Sequence, residues 1–179
     1  MLTDPRVIVI TGVSAAGKST VAQALAERLP KAAHVRGDAF RKMIVTGRAQ
    51  AFGPDLSDEF KSQLELRYDI ACDAVRRYAE AGFQVVYQDI MAGPQLQTIA
   101  DRLRPLGVAI IVLDPDPDVV AAREAGRGKS AYGGGWTAEG FVQGLRKTTP
   151  HIGLWLDSGA LSVGDTVDLI LQRLGDAVV

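Results

Sequence analysis

The sequence comprises 179 residues, of which 47% are hydrophobic and 23% charged, and its formal net charge is −1 at pH 7. This composition is typical of a globular domain, and the near-zero charge argues against a general binder of long nucleic acid. The single cysteine, Cys72, excludes an internal disulfide and a cysteine-rich zinc site. No apolar run reaches the ~18 residues of a membrane helix and no signal peptide is evident, so we expect a cytoplasmic protein without a membrane partner.

Short apolar strands alternate with helices along the whole chain, which we interpret as one domain of residues 1–179. Buried, β-branched runs predict strands at 6–11, 32–36, 83–88, 108–113 and 152–156. Helical spacing predicts helices at 18–29, 57–81, 94–103, 116–125, 137–148 and 162–174, with a further short helix at 39–45. Such alternation implies right-handed crossovers and a parallel sheet covered by helices on both faces.

The longest predicted helix, at 57–81, has a clear apolar face. Its members step by threes and fours: Phe60, Leu64, Tyr68, Ala71, Val75 and Tyr78. Ser57 with Asp58 supplies the N-cap, and Gly82 ends the helix.

A phosphate-binding loop follows the first strand. The run GVSAAGKS at 12–19 fits the pattern G-x-x-x-x-G-K-[ST], and it lies between a buried strand and an amphipathic helix, as that motif requires. Glycines let the backbone N–H groups wrap a phosphate, and the helix dipole favours the anion. Lys18 would reach the β- and γ-phosphates of ATP, and the Ser19 hydroxyl would bind Mg²⁺. The predicted nucleotide-binding residues are Gly12, Ser14, Ala15, Ala16, Gly17, Lys18, Ser19 and Thr20, together with Arg123 and Arg127 further along the chain.

Asp38 and Arg41 follow the second strand, at the sheet edge where ligands of parallel sheets bind. Asp38 is a candidate base for an acceptor hydroxyl and a candidate for the Mg²⁺ shell; the alternative is an N-cap for the short helix at 39–45. Arg41, one turn further, is a candidate for gripping the acceptor, or it is a solvated surface residue.

Asp89 ends the third strand, directly after an apolar run. Strand-terminal aspartates of this kind orient the Mg²⁺ shell in phosphate-loop enzymes, and the alternative is a turn-forming residue. The predicted metal site therefore consists of Ser19, Asp38 and Asp89, and the predicted acceptor site of Asp38, Arg41 and Asp89.

A short Arg/Gly-rich lid is predicted at about 123–136. Arg123 and Arg127 are four residues apart and share one face if the helix continues, and five glycines lie between 126 and 135. An arginine on a closing lid stabilises a phosphoryl group in transfer and excludes water, so Arg127, with Arg123, is a candidate for that role. The alternative is a disordered basic loop.

With these residues in hand, the chain resembles the small P-loop kinases, and most of all the chloramphenicol phosphotransferase-like group near gluconate, shikimate and adenylylsulfate kinases. The matching segments are TGVSAAGKST, the strand-end Asp38, VVYQD ending at Asp89, and REAGRGK at 123–129. The resemblance implies a P-loop NTPase fold, a three-layer α/β sandwich with a five-stranded parallel sheet. It also implies ATP and Mg²⁺, transfer of the γ-phosphoryl group to a small-molecule hydroxyl, and Asp38 as the base.

Two other functions stay open. The spacing of Asp38 and Arg41 is similar to that of polynucleotide 5′-kinases and zeta-toxin-like kinases, in which the arginine grips an acceptor phosphate; the acceptor would then be a nucleotide-sugar or a nucleic-acid end. A nucleotide-dependent switch without phosphotransfer is the third possibility, although the strand end LDPD at 113–116 lacks the asparagine and lysine of a guanine reader. For the kinase we expect a small-molecule acceptor as partner and a monomer or homodimer.

Overall fold

The chain folds around a five-stranded parallel sheet. The structure, a computed structural model, describes residues 5–50, 56–126 and 137–179. The strands are β1 (Val7–Gly12), β2 (Ala32–Arg36), β3 (Gln84–Gln88), β4 (Val108–Leu113) and β5 (Leu154–Leu156). The helices are α1 (Lys18–Arg28), α2 (Gly37–Lys42), α3 (Asp58–Glu80), α4 (Pro94–Leu103), α5 (Pro117–Ala125), α6 (Ala138–Thr148) and α7 (Val163–Gln172). No helix among the described residues combines the length and apolar composition needed to cross a bilayer.

The order of the strands is β2-β3-β1-β4-β5, and all four pairings are parallel. Helix α1 connects β1 to β2, and α3 lies in the connection from β2 back to β3, which runs across the sheet in the opposite direction. Because both crossovers are right-handed, α1 and α3 lie on opposite faces of the sheet. In agreement, α1 packs against α7, whereas α3 packs against α4. The predicted three-layer α/β fold with a five-stranded parallel sheet is confirmed.

The core lies on both sides of the central strands. Every residue of β1 and of β4 is buried, which explains why both strands are continuous apolar runs without alternation. The helices that follow the neighbouring strands β1 and β3, α1 and α4, lie on opposite faces of the sheet. Ligands of open parallel sheets bind in the crevice that such a divergence leaves at the carboxyl ends of the strands.

The ends of two elements and the position of one side chain differ from the predicted ones. β5 begins at Leu154 rather than at 152, because Gly153 has φ +70° and a Cβ atom there would lie 2.3 Å from the Ile110 carbonyl oxygen. α7 ends at Gln172, and a 3-10 turn covers Leu174–Ala177. On α3, Ser57 is the N-cap, as predicted, but Tyr78 is 47% exposed and packs edge-on against Phe83 instead of entering the core.

Helix α2 begins two residues earlier than predicted. It starts at Gly37, directly after β2, and Arg36 occupies the N-cap position without a side-chain hydrogen bond. Asp38 is therefore the second residue of the helix, and the interpretation of Asp38 as the N-cap is wrong. The early start is possible because glycine at position 37 lets the helix lie directly against the end of β3.

Candidate active site

The loop between β1 and α1 has the backbone of a phosphate cradle. Gly12 has φ +143° and Gly17 has φ +98°, and a Cβ atom on Gly12 would lie 2.4 Å from the Leu113 carbonyl oxygen. Ala15 also adopts a positive φ, of 61°. Only glycine takes the first two conformations without strain, so the two fixed glycines of the motif are explained by backbone geometry.

Lys18 lies over this loop. Its ammonium Nζ donates a hydrogen bond of 2.7 Å to the Val13 carbonyl oxygen, and the residue is 9% exposed. The nearby positive charge of Lys18 also acts on the carboxylate of Asp89. The side chain is thus held at the mouth of the loop, where the predicted contact with phosphate oxygens would be made.

Ser19 faces the end of β3. Its Oγ donates a hydrogen bond of 3.3 Å to Oε1 of Gln88, the last residue of that strand. Gln88 is 4% exposed and pairs in register with Ile10 of β1. The sequence pattern predicts a role for the neighbouring carboxylate of Asp89 but none for Gln88. The signal was available, since a polar side chain that ends a buried strand beside the phosphate loop is unusual.

Arg123 joins the phosphate loop to the segment after β5. Its Nη1 donates to the Ala16 carbonyl oxygen at 3.2 Å, and its Nη2 donates to the Ser158 carbonyl oxygen at 3.1 Å. Arg123 lies on helix α5, which ends at Ala125. Arg127 and the rest of the predicted lid, 127–136, lie outside the described residues.

A cavity of about 250 Å³ opens beside this arginine. Its lining includes Gly17, Thr20 and Val21 from the phosphate loop and α1, and Ser158 and Leu161 from the segment after β5. The Ser158 hydroxyl is buried and has no hydrogen-bond partner among the described residues. The cavity adjoins the phosphate loop and is suited to the nucleoside part of a nucleotide whose phosphates occupy that loop.

Asp38 lies near several cations. Its Oδ2 accepts an ion-pair contact of 2.7 Å from Lys42 Nζ, and its side chain is half-exposed. Burial alone would raise the pKa of Asp38, but the hydrogen bond from Lys42 and the charges of Lys42, Arg67 and Arg41 outweigh it and lower the pKa. Asp38 is therefore ionised at neutral pH, exposed to an incoming ligand and able to accept a proton.

Arg41 points toward the segment that follows α2. Its Nη2 donates a hydrogen bond of 3.0 Å to the Ala49 carbonyl oxygen, and its guanidinium lies 6.0 Å from the centre of the Phe60 ring. Burial lowers the pKa of Arg41, and the positive charge of Arg48 is the second largest cause of this shift. Gln63 on α3 fixes the same segment by accepting a hydrogen bond from the Ala49 amide at 2.9 Å. Arg41 is thus held in place rather than solvated at the surface.

Asp89 lies at the predicted sheet edge but is turned inward. Its Oδ1 receives 2.8 Å contacts from Arg67 Nη2 and from the Ile90 amide, and its side chain is 2% exposed. Burial raises the pKa of Asp89 to about 6, although Arg67 opposes this effect. Its Oδ2 packs so closely against Gly37 that a Cβ atom, if position 37 had one, would lie 1.8 Å from it. The carboxylate therefore contacts protein groups on both sides.

Arg67 is the second residue that the sequence analysis missed. It sits on α3 with only 10% of its side chain exposed, and its Nε is buried without a hydrogen-bond partner among the described residues. No local signal marks it, because one arginine on a long amphipathic helix is ordinary. Only the packing of α3 against β2 and β3 brings it to Asp38 and Asp89.

The fold and the phosphate loop together place this protein in the class of P-loop nucleotide-binding proteins. The family model AAA_33, described as an AAA domain, matches residues 7–134, and the chain therefore belongs to that family. A search of curated protein sequences finds no match. The finer likeness to the chloramphenicol phosphotransferase-like group stays a prediction.

Solved structures with the same fold include kinases. A sugar kinase from Janibacter sp. HTCC2649 is 21% identical with a TM-score of 0.68, and the match covers 97% of this chain and 96% of that chain. The tunicamycin resistance protein of Deinococcus radiodurans is 21% identical with a TM-score of 0.68, covering 98% of both chains. A gluconokinase from Sinorhizobium meliloti is 22% identical with a TM-score of 0.63, covering 96% of this chain and 93% of that chain. These likenesses establish a fold shared with small-molecule kinases.

Proposed function

We propose that the protein is an ATP-dependent phosphotransferase that moves the γ-phosphoryl group to a hydroxyl of a small molecule. One observation carries the proposal: the phosphate loop after β1 and the ionised Asp38 after β2 lie on either side of β3, at the same edge of the sheet. A donor site and a proton acceptor at one edge are the two halves of a kinase site. The shared fold with a sugar kinase and a gluconokinase supports the same reaction class.

On the donor side, the backbone amides of the loop would bind the β- and γ-phosphates, and Lys18 would exchange the Val13 carbonyl for a phosphate oxygen. The cavity beside Arg123 would take the nucleoside. Ser19 and Gln88 provide neutral oxygen ligands of the kind that suits Mg²⁺, which supplies charge neutralisation on the phosphates when bound. Asp38 and Asp89 remain our candidates for the shell around that ion.

On the acceptor side, Asp38 would accept the proton of the attacking hydroxyl. Its lowered pKa keeps it ionised at neutral pH, and its half-exposed side chain leaves room for a ligand. Arg41 would orient the acceptor from the same helix. Arg127, with Arg123, would stabilise the negative charge of the phosphoryl group in transfer and exclude water.

The test is transfer of label from γ-labelled ATP to a panel of hydroxyl compounds, including antibiotics, sugars and nucleosides. Lys18→Ala is expected to abolish transfer, and Asp38→Asn to lower it by about 100-fold or more while ATP binding and folding are retained. Lys61→Ala is the matched control for Lys18, because Lys61 is exposed and its ion pair with Asp58 lies on the surface of α3. Transfer that persists unchanged in Lys18→Ala would contradict the proposal.

A second candidate is a kinase of nucleotide-sugars or nucleic-acid ends. It is favoured by the position of Arg41, which is held one helical turn after Asp38 and close enough to act on its charge. A short 5′-hydroxyl oligonucleotide in the same labelling assay separates the two candidates. Label on the oligonucleotide, with none on free sugars or antibiotics, would favour this second function.

A further inference from the structure

We propose that Gln88 provides an uncharged oxygen beside Ser19, where a carboxylate would attract a free divalent cation, and that the protein therefore takes up its metal together with the nucleotide rather than before it. This inference rests on the proposed phosphotransfer, and it specifies how the donor half of that site is loaded. Gln88 is the last residue of β3, and its side chain contacts Ser19, which directly follows Lys18 at the start of α1.

The contact between Ser19 and Gln88 joins two neutral oxygen groups. The Ser19 Oγ donates to Oε1 of Gln88 at 3.3 Å, and Gln88 is 4% exposed. Gln88 also pairs in register with Ile10 of β1, so the sheet fixes its position. In proteins, Mg²⁺ is usually held by one or two carboxylates together with the phosphates of a substrate. A hydroxyl and an amide oxygen therefore leave the negative charge to be supplied by the phosphates.

The geometry of the strand explains why the amide, and not the neighbouring carboxylate, faces Ser19. The Asp89 amide donates to the Ile10 carbonyl oxygen at 3.3 Å, so the ladder extends one residue past Gln88. Successive side chains of a strand point to opposite faces of the sheet. Gln88 accordingly contacts Ser19 of α1, whereas Asp89 contacts Arg67 of α3, and these helices lie on opposite faces. The charge of Asp89 is thus balanced by an arginine on the other face.

The charges around Ser19 favour an anion rather than a free cation. Lys18 directly precedes Ser19 and is 9% exposed, so a positive charge already lies beside the site. Asp38 and Asp89 stay candidates for the shell of the bound ion, but each carboxylate is already paired with a cation, Asp38 with Lys42 at 2.7 Å. Two positive ions close together are unfavourable until the phosphates of a nucleotide neutralise them.

Two binding measurements on the full-length protein test the inference, and neither requires turnover. Electron paramagnetic resonance follows the binding of Mn²⁺ to the nucleotide-free protein, because the signal of the hydrated ion is lost when the ion binds. Calorimetry measures the affinity of a non-hydrolysable ATP analogue, once in EDTA and once in Mg²⁺. The first measurement reports uptake of the metal alone, and the second reports how much the metal adds to nucleotide binding.

Gln88→Glu keeps the shape of the side chain and adds one charge. We expect the nucleotide-free variant to bind Mn²⁺ about 10-fold or more tightly than the wild type, because metal affinity rises with the charge of the ligands. Its affinity for the analogue in EDTA should fall by about 10-fold, since the carboxylate and the phosphates repel each other, and Mg²⁺ should restore it. Gln143→Glu, at an exposed position of α6, is the matched control and should change neither quantity.

Gln88→Met removes the oxygen and nearly keeps the volume of the side chain. Its affinity for the analogue in EDTA should equal that of the wild type, whereas the gain in affinity on adding Mg²⁺ should fall by about 10-fold, as for loss of a group that orients a metal. This variant introduces no buried charge, so it decides the question if Gln88→Glu does not fold.

Binding of Mn²⁺ to the nucleotide-free wild type as tight as to Gln88→Glu would overturn the inference, as would a gain on adding Mg²⁺ that is the same in the wild type and in Gln88→Met. Either result would leave the phosphotransfer proposal standing if labelling still depends on Lys18. Failure of the proposed function would appear instead as a protein that binds the analogue and Mg²⁺ in this way but transfers no label to any compound of the panel.

Discussion

Gly37 and Asp89 are so close that a Cβ atom on Gly37 would lie 1.8 Å from Oδ2 of Asp89. This contact joins the first residue of α2 to the residue that follows β3. On the other side of the carboxylate, Arg67 of α3 contacts Oδ1 at 2.8 Å. The carboxylate thus joins three elements of the acceptor site, and the position of Asp38, one residue after Gly37, depends on it.

The first prediction concerns that contact. Gly37→Ala forces either α2 or the Asp89 carboxylate to move, and we expect the free energy of unfolding to fall by about 1–3 kcal/mol, as for an overpacked core site. Phosphotransfer is also expected to fall, because Asp38 is displaced with the helix. Chemical denaturation followed by circular dichroism measures the first effect, and the labelling assay measures the second.

Gly144→Ala is the matched control. Gly144 lies inside α6, and a Cβ atom there would meet nothing within 4 Å. The same substitution should therefore raise the free energy of unfolding by about 0.5–1 kcal/mol through helix propensity alone. If Gly37→Ala proved as harmless as Gly144→Ala, the close packing of Gly37 on Asp89 would be wrong.

Most of the fold is predictable from the sequence because its signals are local. Continuous apolar runs fix β4 at Val108–Leu113 as predicted, and the proline at position 94 fixes the start of α4. The start of α2 is not predictable in this way. A carboxylate preceding a short helical pattern indicates an N-cap, whereas tertiary contact between Gly37 and Asp89 moves the helix two residues earlier.

In the candidate site, too, the residues with a local sequence signal are predictable, and those that only tertiary packing brings together are not. The phosphate loop is predictable because a contiguous motif contains it, and each glycine has a local conformational reason. Arg67 and Ser158 are not predictable, because each becomes informative only through a neighbour distant in the sequence, and the contact of Gln88 with Ser19 is not predictable for the same reason. Ser19 is 69 residues from Gln88, and Arg67 is brought to Asp89 by the packing of α3. No periodicity or spacing encodes such pairs.

The second prediction is a pH dependence of stability that Asp89 causes. The pKa of Asp89 is about 6 in the folded protein, against about 3.9 for an aspartate in an unfolded chain. A raised pKa in the folded state contributes stability that is complete below pH 4 and is lost as the pH rises through 6. Between pH 4 and pH 7, the free energy of unfolding of the wild type should therefore fall relative to that of Asp89→Asn by about 2–3 kcal/mol.

Denaturant titrations of both proteins at several pH values within this window measure the difference. Comparing the two curves removes the constant cost of leaving Arg67 without its carboxylate partner in the variant. Asp38 does not interfere, because its pKa is lowered and its contribution is lost only as the pH falls below the window. Parallel curves for the two proteins from pH 4 to pH 7 would show that Asp89 is not perturbed.

The third prediction separates nucleotide binding from stability in the segment after β5. The buried Ser158 hydroxyl lines the cavity beside Arg123 and has no hydrogen-bond partner among the described residues. Ser158→Ala removes no hydrogen bond among the residues that the structure describes, so its free energy of unfolding should stay unchanged or rise by up to about 1 kcal/mol. If the hydroxyl binds the nucleoside, the dissociation constant for ATP should increase by about 3- to 10-fold.

Ser162→Ala, four residues further along, is expected to behave in the opposite way. Ser162 is the N-cap of α7, and its Oγ accepts a hydrogen bond from the Asp165 amide at 3.1 Å. Its loss should cost about 1 kcal/mol of stability and leave ATP affinity unchanged. Thermal unfolding with and without ATP measures both quantities on the same samples. A Ser158→Ala protein that binds ATP as tightly as the wild type would mean that the nucleoside does not contact this hydroxyl, because no other loss would mask the effect.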